Sequence, residues 1–298
     1  MRNHRLRREI ITTDLANSIV DCAGTTFVSR LAEETGADIA HIARAYAVAV
    51  AVFGMRGFWR EVEALDDVVD EQTQFKMLLQ GRRLLTRAAR WLVRNRRPPL
   101  DIGAAVSDYA RGAAALREAL PELLSGFDGD AWYARVTEFA GAGVPSALAS
   151  RVAAMDALFF AFDVVEIVRE REEPVRRAAG VHLALDRRLE LAWLRDRILE
   201  LPRADLWQTL ARAALRDDLY KTHRALTSAV LEASATSIDD DAAIDAWAQA
   251  SAATVERYLG MLGDIRSRDG TDLTTLSVAV RELANLIPPR SEQAQRAR

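Results

Sequence analysis

Residues 45–53 read AYAVAVAVF. Valine falls on every second position, which is the strongest strand signal in the chain. The alternating partner is alanine, the best helix former, and no turn dipeptide flanks the run. The stretch is therefore read as a helix buried on most of its surface. The apolar run reaches from Ala45 to Met55 between Arg44 and Arg56. A membrane-spanning helix needs about 20 apolar residues, so a core element is expected and no membrane partner.

Outward from this stretch, apolar residues recur at three- and four-residue spacing almost everywhere, and an all-α, multi-helix fold is predicted. In the opening helix Ile11, Leu15, Ile19 and Cys22 form one stripe, expected to be buried. Proline and glycine place loops at RRPPLD (96–101), SGFDGD (125–130), GAGVPS (141–146) and ELPRAD (200–205). Residues 1–286 are expected to form a single α-helical domain. Residues 287–298 have little to bury and are expected to be a disordered tail.

A weak internal repeat accompanies this pattern. Residues 27–65 can be laid on 163–201 without a gap, at an offset of 136. Val28 then falls on Val164, Leu31 on Ile167, Ile39 on Val175 and Phe53 on Leu189. Phe58 falls on Leu194, Val62 on Ile198 and Leu65 on Leu201. Identity is low but the apolar phase is kept, which predicts two related helical units with further helices between and after them.

Composition narrows the function classes. The chain has 298 residues and a formal net charge of −3, without the concentrated basic surface that nucleic acid requires. Cys22 is the sole cysteine, so no intrachain disulfide can form, and a reducing, cytoplasmic setting is expected. The basic N-terminus lacks the apolar core of a signal peptide. Only Lys76 and Lys221 are lysines among 40 basic residues.

Few motifs carry chemistry. In LDDVVDEQ (65–72), Asp66, Asp67 and Asp70 have the DDxxD spacing with which all-α prenyl and terpene synthases hold Mg²⁺ and a diphosphate. Asp66 corresponds to Pro202 in the repeat, which marks a turn between helices, and no second DDxxD follows. Helix capping by Asp66 and Asp67 is the preferred reading, and a Mg²⁺- and diphosphate-dependent lyase or transferase the lesser one. Arg83, Arg87, Arg90, Arg94 and Arg97 form a stripe that reads as a solvated helix face, with Leu84, Leu85, Ala88, Trp91 and Leu92 turned inward. GAGVPS lacks the third glycine and the preceding strand of a dinucleotide loop. His4, His41, His182 and His223 have no metal-binding spacing, and His182 reads as a packing residue. Trp59, Trp91, Trp193 and Trp207 sit in apolar stripes and are expected in the core. No catalytic, cofactor-binding or metal-binding residue is assigned.

The chain nevertheless resembles a known family. LRREIITTDLANSIVDCAGTTFVSRLAEETGADIAHIARAY (6–46) resembles the segment that follows the catalytic domain in the large bacterial NAD-specific glutamate dehydrogenases. The likeness continues through RAARWLVRNRRPPLDI, GVPSALASRVAAMDALFFAFDVVEIV, WQTLARAALRDDLYKTHRALT and LTTLSVAVRELANL. A charged residue before Val52-Phe53 would be more usual in that family. The resemblance implies a parent enzyme that oxidatively deaminates L-glutamate to 2-oxoglutarate and ammonium with NAD. It further implies catalytic and NAD sites upstream, in a part this chain lacks. No cofactor is then expected in this chain, whose partners would be the upstream catalytic domain and further copies of the parent in a homo-oligomer. Two scattered lysines agree with this, because the chemistry calls on lysines to bind the substrate carboxylate and activate water. The expected role is structural or regulatory. A stand-alone helical protein-interaction module is the alternative.

The opening helix then acquires a second face. Ile10 lies on a different side from the predicted stripe, with Asp14, Asn17 and Asp21, and Leu6 is nearby. One or two apolar residues among short polar ones suit an interdomain contact better than a core. Leu6, Ile10, Asp14, Asn17 and Asp21 are the candidate contact residues.

Overall fold

A computed structural model describes residues 4–127, 129–234, 240–267 and 271–287. Every element in it is helical, with fifteen α-helices, one 3-10 turn and no strand among the described residues. The chain divides into two compact units, Met1–Val165 and Glu166–Arg298.

The first unit contains α1 (Arg7–Ala23), α2 (Phe27–Thr35), α3 (Ile39–Val52), α4 (Met55–Glu63), α5 (Glu71–Asn95), α6 (Ile102–Phe127), α7 (Gly129–Gly141) and α8 (Ser146–Ala153). A 3-10 turn (Ala157–Phe160) leads into α9 (Ala161–Arg171), within which the division falls. The quoted run is the body of α3, which packs against α1, α2, α4, α5 and α6. Asp38 starts that helix by accepting the His41 amide at 2.9 Å. Ala45, Tyr46, Val48, Ala49, Val50 and Val52 are all buried. Valine and alanine alternate because a helix enclosed by neighbours has little outer face to make polar, and alanine lets those neighbours approach. At the crossing of α4 and α5, a Cβ on Gly81 would stand 2.7 Å from the Phe58 ring, so the glycine there is steric. Phe53, Trp91, Tyr109 and Phe162 form an aromatic cluster with ring centroids 4.8–5.7 Å apart. The Trp91 indole donates to Asp163 at 2.8 Å, which satisfies a buried carboxylate.

The second unit contains α10 (Val175–Arg188), α11 (Leu191–Glu200), α12 (Leu206–Ala233), α13 (Asp240–Ala250), α14 (Ala252–Arg266) and α15 (Leu273–Ala284). Here α10 is the enclosed helix, packed against α11, α12 and α13. Its limits lie 136 residues beyond those of α3 at both ends, and α11 begins 136 residues beyond α4. Gly36 and Glu172 precede the enclosed helices with φ of +70° and +57°, again at that offset. Inside this unit His182 and His223 stack with ring centroids 3.5 Å apart, both buried. The Thr227 hydroxyl donates to the His223 carbonyl at 2.9 Å, so His182 Nδ1–H donates to Thr227 Oγ1 at 2.9 Å.

Several expectations are corrected. The N-terminal half of α1 is left largely uncovered, so Ile11 is 47% exposed while Ile19 is buried and Leu15 and Cys22 are half-buried. Asp66 and Asp67 do not cap a helix: both sit in the turn after α4, Asp67 at φ +64°. Asp70 is the cap, accepting from the Thr73 amide at 2.9 Å and its hydroxyl at 2.6 Å. The arginine stripe is not simply solvated. Arg90 is 8% exposed and pairs with Glu34, Arg94 donates to the Glu34 carbonyl at 2.9 Å, and Arg87 donates to the Phe159 carbonyl at 2.9 Å. Helix spacing counts arginine as polar, but its long stem reaches partners across a crossing. Trp207 is 77% exposed, because the first turn of α12 projects past its neighbours. The loop expected at 125–130 is largely helix, with α6 running to Phe127 and α7 starting at Gly129. Of the expected tail, residues 288–298 lie outside the described residues.

Candidate docking surface

Leu6 immediately precedes α1 and Ile10, Asp14, Asn17 and Asp21 lie on it, and all five are exposed. Ile11 and Val20 are exposed large apolar residues on the same helix. The helix is anchored by its other side. Tyr46 of α3 donates to the Ser18 carbonyl at 2.8 Å and stands 2.9 Å from the Ser18 hydroxyl, with the Phe27 ring 5.9 Å from its own. Burial pushes the Tyr46 phenol well above its ordinary range and also raises the neighbouring Cys22 thiol. A thiol raised in this way has less thiolate character than a free cysteine.

Beside the α1 anchor runs a groove of about 410 Å³. Leu15 and Ser18 form one wall, Ala47, Val50 and Ala51 the floor, and Gly54, Arg56 and Gly57 the far end. Arg56 reaches over it to Asp14 at 3.3 Å, with side chains 73% and 67% exposed. An ion pair so open to water contributes roughly 0–1 kcal/mol and is easily exchanged. None of the groove residues beyond α1 is singled out by the sequence reading. The signal was legible, since Ala47, Ala51, Gly54 and Gly57 recur at helical spacing on one side.

The remaining sequence candidates are dispersed. Asp70 is committed to Thr73 while Asp66 and Asp67 face solvent. Among the described residues no three His, Cys, Asp or Glu side chains are arranged to hold a metal ion. Lys76 pairs with Glu138 at 2.5 Å, and Lys221 borders a separate groove between α12 and α15. Among the described residues no single helix is long and apolar enough to cross a membrane; α3 and α4, bent by 67°, are core helices.

Comparison with known proteins identifies the kind of chain to which these helices belong. The family described as "Glutamate dehydrogenase, C-terminal" matches residues 1–285. An NAD-specific glutamate dehydrogenase of Halomonas elongata is 37% identical over 292 residues, which is 98% of this chain. The proteins of that name in Pseudomonas aeruginosa and Mycobacterium tuberculosis are 37% and 36% identical over 286 residues, 96% of this chain. The match spans 18% of the length of each of these relatives.

Proposed function

The chain belongs to the glutamate dehydrogenase C-terminal family, and from that premise we propose that it is a non-catalytic helical support for the reacting part of such an enzyme. The whole protein would oxidatively deaminate L-glutamate to 2-oxoglutarate and ammonium, with NAD as the hydride acceptor. Glutamate and NAD would bind in the catalytic region outside this chain, and copies of the whole protein would associate. The observation that carries this reading is the exposed outer side of α1. Leu6 just before the helix, and Ile10 and Val20 on it, present apolar surface there that no described residue covers fully, while Ser18 and Tyr46 hold the helix firmly from behind. Apolar surface on a well-anchored helix suits an interface between parts of one polypeptide.

The test separates the two parts. The catalytic region of the complete dehydrogenase and this 298-residue chain are purified apart, and glutamate-dependent NADH formation is followed for each alone and for the mixture. The chain alone should give none, and mixing should raise the rate or the thermal stability of the catalytic region. Turnover by the chain alone, or a catalytic region indifferent to its addition, would overturn the proposal.

A further inference from the structure

The two enclosed helices differ in one respect that points to a partner. At the offset of 136, Ala47, Ala51, Gly54 and Gly57 of the first unit stand where the second carries Leu183, Arg187, Glu190 and Trp193. The backbone at the junction is alike: Phe53 and Leu189 have φ of −91° and −102°, and Gly54 and Glu190 have φ of +61° and +54°. The side chains are not alike. In the second unit this face is engaged by the chain's own helices. Arg266 of α14 pairs with Glu190 and lies 4.7 Å over the Trp193 ring. Tyr258 of α14 donates to the Leu189 carbonyl at 3.1 Å, and Asp241 of α13 pairs with Arg187 at 3.3 Å.

In the first unit the matching carbonyls are taken by Arg151 of α8, which donates to Phe53 and Gly54 at 3.4 and 3.1 Å. The helix face itself is left as the groove. A Cβ at Gly57 would meet nothing closer than Glu61 at 3.9 Å, and one at Gly54 nothing closer than Arg151 at 3.8 Å. Gly54 is explained by its left-handed backbone. Gly57 has no such backbone: it lies in the first turn of α4, and no described residue crowds a Cβ there.

We propose that the groove over Ala47, Ala51, Gly54 and Gly57 is the seat of a helix from the catalytic region of the same polypeptide, covering a face whose counterpart on the second unit is covered by side chains of α13 and α14. This rests on the supporting role argued above and places one of its contacts. The occupant presents a large apolar side chain to Gly54 and Gly57 and a carboxylate to Arg56, which exchanges its solvent-exposed pairing with Asp14 for a shielded one. Leu15 and Ser18 make the groove continuous with α1. A tethered occupant is favoured over a second copy because the groove is small. A segment of the same polypeptide acts at an effective concentration of about millimolar, whereas free copies need roughly 1,200 Å² or more of buried surface to associate stably.

Two measurements test it. Gly57→Cys is placed in the isolated chain and in the complete dehydrogenase, with Asp67→Cys in the exposed turn as the reference, and maleimide labelling is followed by peptide mass spectrometry. Cys at 57 should label freely in the isolated chain and at least tenfold more slowly in the complete enzyme, while the reference labels alike in both. Equal rates at 57 would sink the proposal, as would concentration-dependent protection in the isolated chain, which would make the occupant a second copy. In the second measurement, Ala51→Leu with Gly57→Leu fills the groove. The isolated variant should keep its Tm, because the space is open, but lose at least tenfold of its effect on the separated catalytic region. A variant that supports that region as well as the wild type would remove the groove assignment while leaving the supporting role intact. A wild-type chain without effect would remove the supporting role itself.

Discussion

Gly54 and Glu190 hold the same left-handed backbone, φ +61° and +54°, at the junction between an enclosed helix and the short helix after it. Only the glycine adopts it without steric cost, since a side chain there is disfavoured by about 1–2 kcal/mol. Glu190 is held there against that cost, with its carboxylate on Arg266. That pair is more than a third exposed, so it returns no more than about 1 kcal/mol. Gly54→Ala should therefore lower stability by about 1–2 kcal/mol, and Glu190→Gly should leave it unchanged or raise it slightly. Urea unfolding of the two variants checks the sign, and a clear loss in Glu190→Gly would show that the ion pair dominates.

The alanines of α3 should respond according to what encloses them. Ala49 is fully buried, and Ala49→Leu would force extra methylenes into a filled core, costing about 1–3 kcal/mol or more. Ala51, two residues on, faces the groove, and Ala51→Leu should change stability by about 0.5 kcal/mol or less. Thermal unfolding of the pair measures the contrast.

Thr227 joins the stacked histidines through two hydrogen bonds, donating to the His223 carbonyl and accepting from His182. It is fully buried, so Thr227→Val keeps the shape but leaves the His182 Nδ1–H without that acceptor. The expected loss is about 1–3 kcal/mol. Denaturant titration with an unchanged m-value would show that stability, not compactness, has moved.

Two helix caps confer acid sensitivity. The Thr73 hydroxyl and then the Thr73 amide hold the Asp70 carboxyl below its ordinary value, and Thr275 does the same for Asp272 at the start of α15. A carboxyl whose pKa is lower when folded stabilises the fold above its unfolded value of about 3.9, and that contribution is lost as pH falls through the folded value. Tm should therefore decline below about pH 4, and Asp70→Asn with Asp272→Asn should flatten the decline while lowering Tm at neutral pH. Differential scanning calorimetry across that range decides it, and an unaltered slope would assign the acid sensitivity to other groups.

Helix was legible from residue spacing because the α-helical period imposes its pattern locally, and alanine's propensity resolved the one run that imitated a strand. The shared phase of 27–65 and 163–201 was legible for the same reason, since each helix needs apolar residues wherever it meets a neighbour. Family resemblance, and with it the expectation of a larger enzyme, also lay in the linear motifs. Spacing could not tell which apolar stripe would find a neighbour. Ile11 and Trp207 have helical phase as good as that of Ile19, yet they lie where a helix outruns its partners. Nor could it separate Asp66 and Asp67 from Asp70, because capping depends on where the chain turns and which amides are left without acceptors. Arg90 was drawn inward by Glu34, a partner 56 residues away, and the groove beside α1 exists because the packing of α1, α3 and α4 brings small residues together. Local periodicity comes from the chain's own geometry, whereas burial, ion pairing and open surface belong to pairs of elements and are decided only when those elements pack.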